Sequence, residues 1–491
     1  MKGNLKALLC SGILVTMIIK KEKEEILSYL EDASNFSQGR AEVLFIPENE
    51  EELREIILDC ADKKMPLTIS GAGTGTVGGR IPSSDIGGGI LSLEKLSQIK
   101  EIDEKEKKAV LGAGVVVDEF LKLLEKKTLF YPPFPTERTA FIGGNVATNA
   151  SGEYSLHFGA TRRYVKRIKV FLSTGEEWNL ERGKFKANTE GVIEIGGKKI
   201  HIPGYTSPPI KNSAGYYSSP GMGLIDIFIG SEGTLGVITE VEVKLIPALP
   251  PRFIAVAFFR EKKSLEVVGE IKKRKDVSPL SLEYFDRESL HFLKKDFPSI
   301  PATSIEALYI EDSEENLEKW AKLFNEFSPV DTWISMDEVT YRKLIDLRHR
   351  LPENVNEYFK KLGSHKIALD IAGPEDKFPT LFNYYEEIRE KYSLEGVLFE
   401  HIGENHLHFN LFPSNLKPEE IENIYTEAVK FGISLGGTVS AEHGIGKTKH
   451  KYLTLMYGEE GIQEMVRVKK EIDPKCILGL DNIFPHTLLQ K

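Results

Sequence analysis

The chain has 491 residues, enough for two or more domains with separate cores, and its 41% hydrophobic, 28% charged composition is that of an ordinary globular protein. A net charge of −10, from 74 acidic against 64 basic residues, excludes the basic footprint of a nucleic-acid binder. The three cysteines, Cys10, Cys60 and Cys476, form no C-x-x-C pair, so the chain supplies neither an iron–sulfur cluster nor a disulfide framework, which suits a reducing compartment.

Residues 1–20 read as an N-terminal tail. The stretch 7–19 is mostly apolar behind Lys2 and Lys6 and stops at Lys20-Lys21-Glu22-Lys23, too short for a comfortable membrane span. It has the length of a signal-peptide core without a small-x-small cleavage site; a start codon assigned too early, with Met17 as the true start, is the competing explanation. Residues 24–30 are expected to be helical and 43–47 extended. Asn49 then stands as an N-cap before Glu50, Glu51 and Glu52, whose charges suit a helix N-terminus. That helix runs to about residue 64, and 66–70 is the next strand.

After it comes Gly71-Ala72-Gly73-Thr74-Gly75-Thr76-Val77-Gly78-Gly79. Nothing so rich in glycine forms regular structure, and successive backbone N–H groups in such a run make a nest for phosphate oxygens. Gly73-x-Gly75-x-x-Gly78 matches the dinucleotide fingerprint, but Arg80-Ile81-Pro82-Ser83-Ser84 is no helix. The Rossmann arrangement, with a helix N-terminus at the pyrophosphate, is therefore not expected. A nucleotide held by loop amides in another α+β scaffold fits; a mobile surface loop is the bland alternative.

Strands at 89–93 and 109–116 and a helix at 118–126 follow, then the rigid turn region Tyr131-Pro132-Pro133-Phe134-Pro135-Thr136. A second small-residue run, Ile142-Gly143-Gly144-Asn145-Val146-Ala147-Thr148-Asn149-Ala150-Ser151-Gly152, lets a flat ring lie against backbone. After a strand at 165–172 comes a third run at 229–239, containing Glu232, Gly236, Val237 and Ile238. It leads into a strand at 240–246, and Pro247, Pro250 and Pro251 mark a boundary. From Phe253 strands alternate with charged amphipathic helices, such as 315–327, in a ferredoxin-like manner. From about Gly432 the chain is small and glycine-bearing again, then helical at 461–471.

The chemistry concentrates at His401-Ile402-Gly403-Glu404-Asn405-His406-Leu407-His408-Phe409-Asn410. Its second half alternates, with Leu407, Phe409 and Leu411 on one face and His406, His408 and Asn410 on the other. Gly403 lets the chain fold back and bring His401 beside His408. A second polar cluster is Ser440-Ala441-Glu442-His443-Gly444-Ile445-Gly446. His401, His408 and Glu442 form a three-ligand metal set with a position open for substrate, leaving His443 as a base. Taken singly, each histidine also reads as an ordinary satisfied one, but four of the eleven in the chain fall in these two stretches.

The three glycine runs stand in the order seen in FAD-linked oxidases of the vanillyl-alcohol-oxidase/p-cresol-methylhydroxylase type. The two histidine stretches resemble the branch holding D-lactate dehydrogenase, glycolate oxidase large subunit and D-2-hydroxyglutarate dehydrogenase. The resemblance spans about 46–484. It implies an α+β fold: a two-lobed PCMH-type FAD-binding domain (21–247), a ferredoxin-like α+β substrate cap (248–431), and a C-terminal segment (432–491) returning to the FAD domain. It implies non-covalent FAD and oxidation of a D-2-hydroxy acid to the 2-oxo acid by hydride transfer, assisted by a divalent metal, Zn or Mn.

Carried over by position, Ser70, Gly71, Ala72, Gly73, Thr74, Gly75, Gly78 and Gly79 hold the pyrophosphate. Pro135, Thr136, Gly143, Gly144, Thr148, Ser151, Gly152, Glu232, Gly236, Val237 and Ile238 touch the rest of FAD. The ligands are His401, His408 and Glu442 and the base His443. Asn410 matches a substrate-side amide, and Arg348 a carboxylate clamp, for which the guanidinium fork is suited. With no cysteine cluster, electrons pass to a quinone, a cytochrome, an electron-transfer flavoprotein, an iron–sulfur partner or oxygen. A cytoplasmic place, or attachment at the inner face of the membrane, is expected, with no nucleic-acid partner and a homodimer as one assembly.

Departures from the family pattern bear on substrate more than on reaction class. The usual Arg-Gly-Gly-Gly is Ser70-Gly71-Ala72-Gly73, and the usual Pro-Pro-Asp-Pro has Phe134 in place of its Asp. Asn-Pro-Gly-Lys is Gly479-Leu480-Asp481-Asn482. A substrate-binding lysine of some relatives is Ala368, with Lys366 out of register. Two rival activities are carbon–oxygen exchange on a flavin fold, as in alkylglycerone-phosphate synthase, and metal-dependent hydrolysis. The glycine runs speak against the second.

Overall fold

A computed structural model describes residues 8–10, 13–15, 17–362, 367–412 and 416–490; most of the expected tail, and Lys366, lie outside them. Ile18–Lys20, placed with the tail above, is instead the edge strand of a four-stranded sheet, followed across it by Val43–Ile46, Gly89–Ser92 and Leu67–Ser70. The last three are parallel. Val43–Ile46 and Gly89–Ser92 are buried at every position, as a parallel sheet covered on both faces requires. Asn49 caps helix Glu50–Asp62, its side chain accepting from the Glu52 N–H at 2.9 Å. Leu53, Ile56 and Ile57 of that helix pack on Val43, Phe45 and Leu91. Residues 71–88 contain no helix, so the first glycine run leaves its strand in the non-Rossmann way.

The second sheet is antiparallel, in the order Glu177–Glu181, Val165–Phe171, Val237–Lys244, Lys108–Gly112, Ile99–Asp103. Here the small-residue run at 142–152 opens with an element the sequence reading did not assign: Ile142–Thr148 is a helix, ended by Asn149 in the left-handed conformation. Ile142 and Val146, one turn apart, are both fully buried and anchor it, which leaves Gly144 and Thr148 free to face the cavity.

The third sheet has seven antiparallel strands: Asp331–Ile334, Arg252–Phe259, Glu306–Ser313, Ser281–Asp286, Glu395–Phe399, His406–Phe412 and Ile367–Ala372. It is a middle layer. Phe253, Ala255 and Ala257 face one core with helices Leu317–Phe327, Phe378–Lys391 and Pro418–Ser434. Ile254, Val256 and Phe258 face another with helices Arg287–Leu293 and Glu338–Leu362. The chain then returns to the first sheet. The Leu67 N–H donates to Ile477 O at 2.7 Å, the Gly479 N–H to Leu67 O at 2.9 Å, and the Asn482 amide to Gly79 O and Glu232 O at 2.8 and 2.9 Å. Among the described residues no helix is long and apolar enough to cross a membrane.

Candidate active site

His401 and His408 meet as their spacing suggests. Ile402–Glu404 is one tight 3-10 turn, and the two imidazole centroids are 5.3 Å apart. Glu442 arrives on the loop between helices Pro418–Ser434 and His450–Ile472 and faces both rings. Its Oε1 is 3.5 Å from His401 Nε2 and its Oε2 3.4 Å from His408 Nε2. His401, His406, His408 and Glu442 offer ligand atoms all within 4.8 Å of one another. His406 is not the cleft residue its alternation suggested. Its strand is buried along its whole length, and the ring is enclosed with Nε2 3.1 Å from Asp370.

A further shell of charge orients these groups. Glu283 accepts the His401 peptide N–H and lies 3.3 Å from His401 Nδ1, which turns Nε2 toward Glu442. Burial and Lys211 push His401 down, but Glu442 and Glu283 outweigh them and hold it up to about 10. Two imidazoles and a carboxylate that converge within 4.8 Å are a donor set that fits a divalent cation. Burial holds His406 down to about 3 and keeps His408 below its ordinary value, the neutral state a ligand needs. Burial opposes ionisation of Glu442 too, but Lys211 and His401 hold its carboxyl well below the usual range. Lys211, almost wholly enclosed, touches Glu442 and is 2.7 Å from Glu404.

Asp370 is the hub behind His443. Its carboxylate lies 3.2 Å from His443 Nδ1 and 3.1 Å from Lys449 Nζ, and accepts from Ser440 Oγ at 2.7 Å and from the Glu442 and His443 N–H groups at 3.2 and 3.0 Å. Burial would raise it, but His443 and Lys449 hold it well below the usual carboxylate range. Arg348 is buried between Glu283, 3.0 Å away, and Glu153, 3.6 Å away, with its Nη1 lacking a hydrogen-bond partner.

A cavity of about 410 Å³ joins this cluster to the first glycine run. Of the residues singled out from sequence, it is lined by Gly71, Ala72, Gly73, Thr74, Gly75, Gly79, Pro135, Thr136, Gly143, Gly144, Thr148, Ser151, Gly152, Glu232, Gly236 and Ile238, and by Arg348, His401, His408, Glu442 and His443. Ser70, Gly78, Val237 and Asn410 do not line it. Val237 packs in the core against Leu91 and Leu93, Gly78 turns the loop at φ 74°, and Asn410 is buried along its strand with Oδ1 unpaired.

The glycines divide into two kinds. A Cβ on Gly75 or Gly144 meets nothing within 4 Å, and on Gly71 only the Gly144 Cα at 3.9 Å, so these three keep the groove clear. A Cβ on Gly143, Gly152 or Gly236 strikes Ala113 at 2.6 Å, Pro133 O at 1.9 Å or Val170 at 2.4 Å, so these serve packing. An open trough of bare backbone fits a dinucleotide cofactor. Glu400, Asp32, Arg80 and Pro352 also line the cavity and were not found from sequence. Glu283, Asp370 and Lys211 stand behind it, and the sole sequence signal for Glu400 was its place next to His401.

A glycine-walled nucleotide groove on two α+β sheets, ending in a histidine–carboxylate centre under a seven-stranded cap, defines a nucleotide-cofactor oxidoreductase. The FAD binding domain family matches residues 41–181 and the family "FAD linked oxidases, C-terminal domain" matches residues 251–480. The chain belongs to the FAD-linked oxidases and is an FAD-linked oxidoreductase. It is 28% identical to glycolate oxidase subunit GlcD of Bacillus subtilis over 471 residues, 93% of this chain and 92% of that one. It is 28% identical to D-lactate dehydrogenase of Archaeoglobus fulgidus over 445 residues, 89% and 90% of the two chains. Among solved structures, p-cresol methylhydroxylase with substrate bound superposes with a TM-score of 0.68 at 14% identity, over 95% of this chain and 94% of that one. The hydrolase alternative falls with the family assignment.

Proposed function

We propose that the protein oxidises a D-2-hydroxy acid of the D-lactate, glycolate or D-2-hydroxyglutarate type to the 2-oxo acid, with a divalent metal assisting. The observation that carries this reading is that one cavity is walled by both the glycine trough and the His401–His408–Glu442 cluster, with His443 and Arg348 on the same wall. Bound FAD supplies the hydride acceptor for the substrate C2. His401, His408 and Glu442 would hold a divalent ion, Zn or Mn, which when bound would make the substrate hydroxyl more acidic.

The chain's own residues do the rest. Arg348, whose Nη1 makes no hydrogen bond though it stands 3.6 Å from Glu153, is the donor for the substrate carboxylate. Asp370, beside His443 Nδ1, keeps the proton on that nitrogen and leaves Nε2 to accept the hydroxyl proton. Such a base contributes ~10²–10⁴-fold. An external acceptor (quinone, cytochrome, electron-transfer flavoprotein or iron–sulfur partner) completes the cycle.

The test is anaerobic mixing of FAD-loaded protein with a panel of D-2-hydroxy acids while the flavin absorbance is followed. At least one acid bleaches it, chelation of the metal stops the bleaching, and His443→Ala slows it ~10²–10⁴-fold. Full absorbance with every acid overturns the reading; a wild-type rate in His443→Ala removes His443 as the base.

A further inference from the structure

We infer that Glu400 is a fourth ligand, so that the centre is a two-histidine, two-carboxylate site; this rests on the metal-assisted reading above. Glu400 lines the cavity and is buried to 9% exposure. Its Oε2 is 3.6 Å from His408 Nε2 and 4.0 Å from His401 Nε2, the same two atoms that face Glu442. Donors held ~2.1 Å from one ion stand roughly 3.0 Å apart when it is octahedral and roughly 3.4 Å when it is tetrahedral, so side chains only slightly farther apart can close on it. The contacts of Glu400 and Glu442 with the two imidazoles, 3.4 to 4.0 Å, are of that size. Among the described residues the Glu400 carboxylate accepts no hydrogen bond, and the two imidazoles, with the Arg348 guanidinium beyond them, are the groups that face it.

The backbone explains how two consecutive residues reach one point. In a regular strand neighbours point to opposite faces, so Glu400 beside a ligand His401 should point away. Instead Glu400 (φ 67°) and His401 (φ 32°) are both in the left-handed region, where side-chain-bearing residues are uncommon. The bend is held from the neighbouring strand: the Glu400 N–H donates to Tyr284 O at 2.8 Å, and the His401 N–H donates to the Glu283 carboxylate. Strain maintained by dedicated partners, and turning two side chains onto the same spot, is what a ligand turn requires.

The second carboxylate changes the character of the site. Two carboxylates balance the charge of a divalent ion. Replacing a three-ligand set by two imidazoles and two oxygen donors shifts preference away from tetrahedral Zn²⁺ toward Mn²⁺ with its higher coordination number.

The experiment titrates metal-free protein with Mn²⁺ and with Zn²⁺ against a competing chelator, in wild type, Glu400→Gln, Glu400→Gly and His401→Ala. Glycine suits the left-handed backbone, so Glu400→Gly guards against a result caused by misfolding, and the melting temperature of its metal-free form equals or exceeds that of wild type. Both Glu400 variants weaken Mn²⁺ binding by about 10–100-fold or more and Zn²⁺ binding less, so the Zn-to-Mn affinity ratio rises. If both bind Mn²⁺ with wild-type affinity and ratio while His401→Ala does not bind it, Glu400 is no ligand and the three-residue centre stands. If wild type itself takes up neither ion, the metal-assisted reading fails and this inference fails with it.

Discussion

Asp370→Asn isolates the group on which the proposed base depends. The substitution keeps the shape of the side chain but removes a buried charge from a hub that serves His443 Nδ1, Lys449 Nζ, Ser440 Oγ and two peptide N–H groups. An amide must turn its NH₂ toward one of these donors, and Lys449, 7% exposed, loses its counter-charge. Removing one partner of a buried pair typically costs about 3–5 kcal/mol, so the melting temperature falls by several degrees. His443 loses the neighbour that keeps its Nδ1 protonated, and flavin reduction by the substrate slows by ~10²–10⁴-fold. The assay is anaerobic stopped-flow on protein whose FAD and metal content match wild type, with a thermal melt on the same sample. A variant fully loaded with both, unchanged in melting temperature and reducing flavin at the wild-type rate, refutes the reasoning.

Other substitutions read other parts of the site. Gly144→Val places a side chain in open groove and lowers FAD affinity by roughly 5–150-fold, with the melting temperature of FAD-free protein unchanged; Gly143→Val meets Ala113 and lowers that temperature instead. Thermal melts and flavin titrations of the pair check this, and identical behaviour contradicts the division. Arg348→Lys loses the fork and raises KM for the hydroxy acid by ~10-fold or more while FAD binding holds, as steady-state kinetics will report. Glu232 is raised by burial, against two backbone N–H donors, to about 7. The folded state therefore binds a proton that the unfolded state has released between about pH 4.5 and 7, and Glu232 lowers the stability of FAD-free protein as pH rises through that window, by about 3 kcal/mol. Denaturant melts of wild type against Glu232→Gln, compared at both ends of the window, show a difference that moves by this amount; a constant difference contradicts it.

The glycine runs, the His401–His408 pair and Glu442 were legible because their signals are local: a density of small residues, an alternation, a turn glycine. The residues that set their chemistry were not. Glu283 reaches His401 from 118 positions away, and Lys211 reaches Glu404 from 193. The pairing of a distant strand brings Glu283 there and a long connection brings Lys211, and no spacing rule records either. His406 looked like His408 because alternation assigns a face without saying whether that face is cleft or core. The helix Ile142–Thr148 was not legible because its glycines outweigh, in local propensity, the two buried anchors that make it helical. Gly143 and Gly144 are adjacent and chemically identical, yet only the position of Ala113 separates a packing glycine from a groove glycine.

The hydrogen bonds that join Leu67 to Ile477 and Gly479, and Asn482 to Gly79 and Glu232, have a consequence for biosynthesis. Two residues of the trough, Gly79 and Glu232, are held by Asn482, so a growing polypeptide that has not yet delivered residues 477–482 lacks the support of that rim. A chain cut before Ile477 keeps every glycine run yet loses the partners of Leu67, Gly79 and Glu232, and is expected to hold FAD more weakly than the full chain.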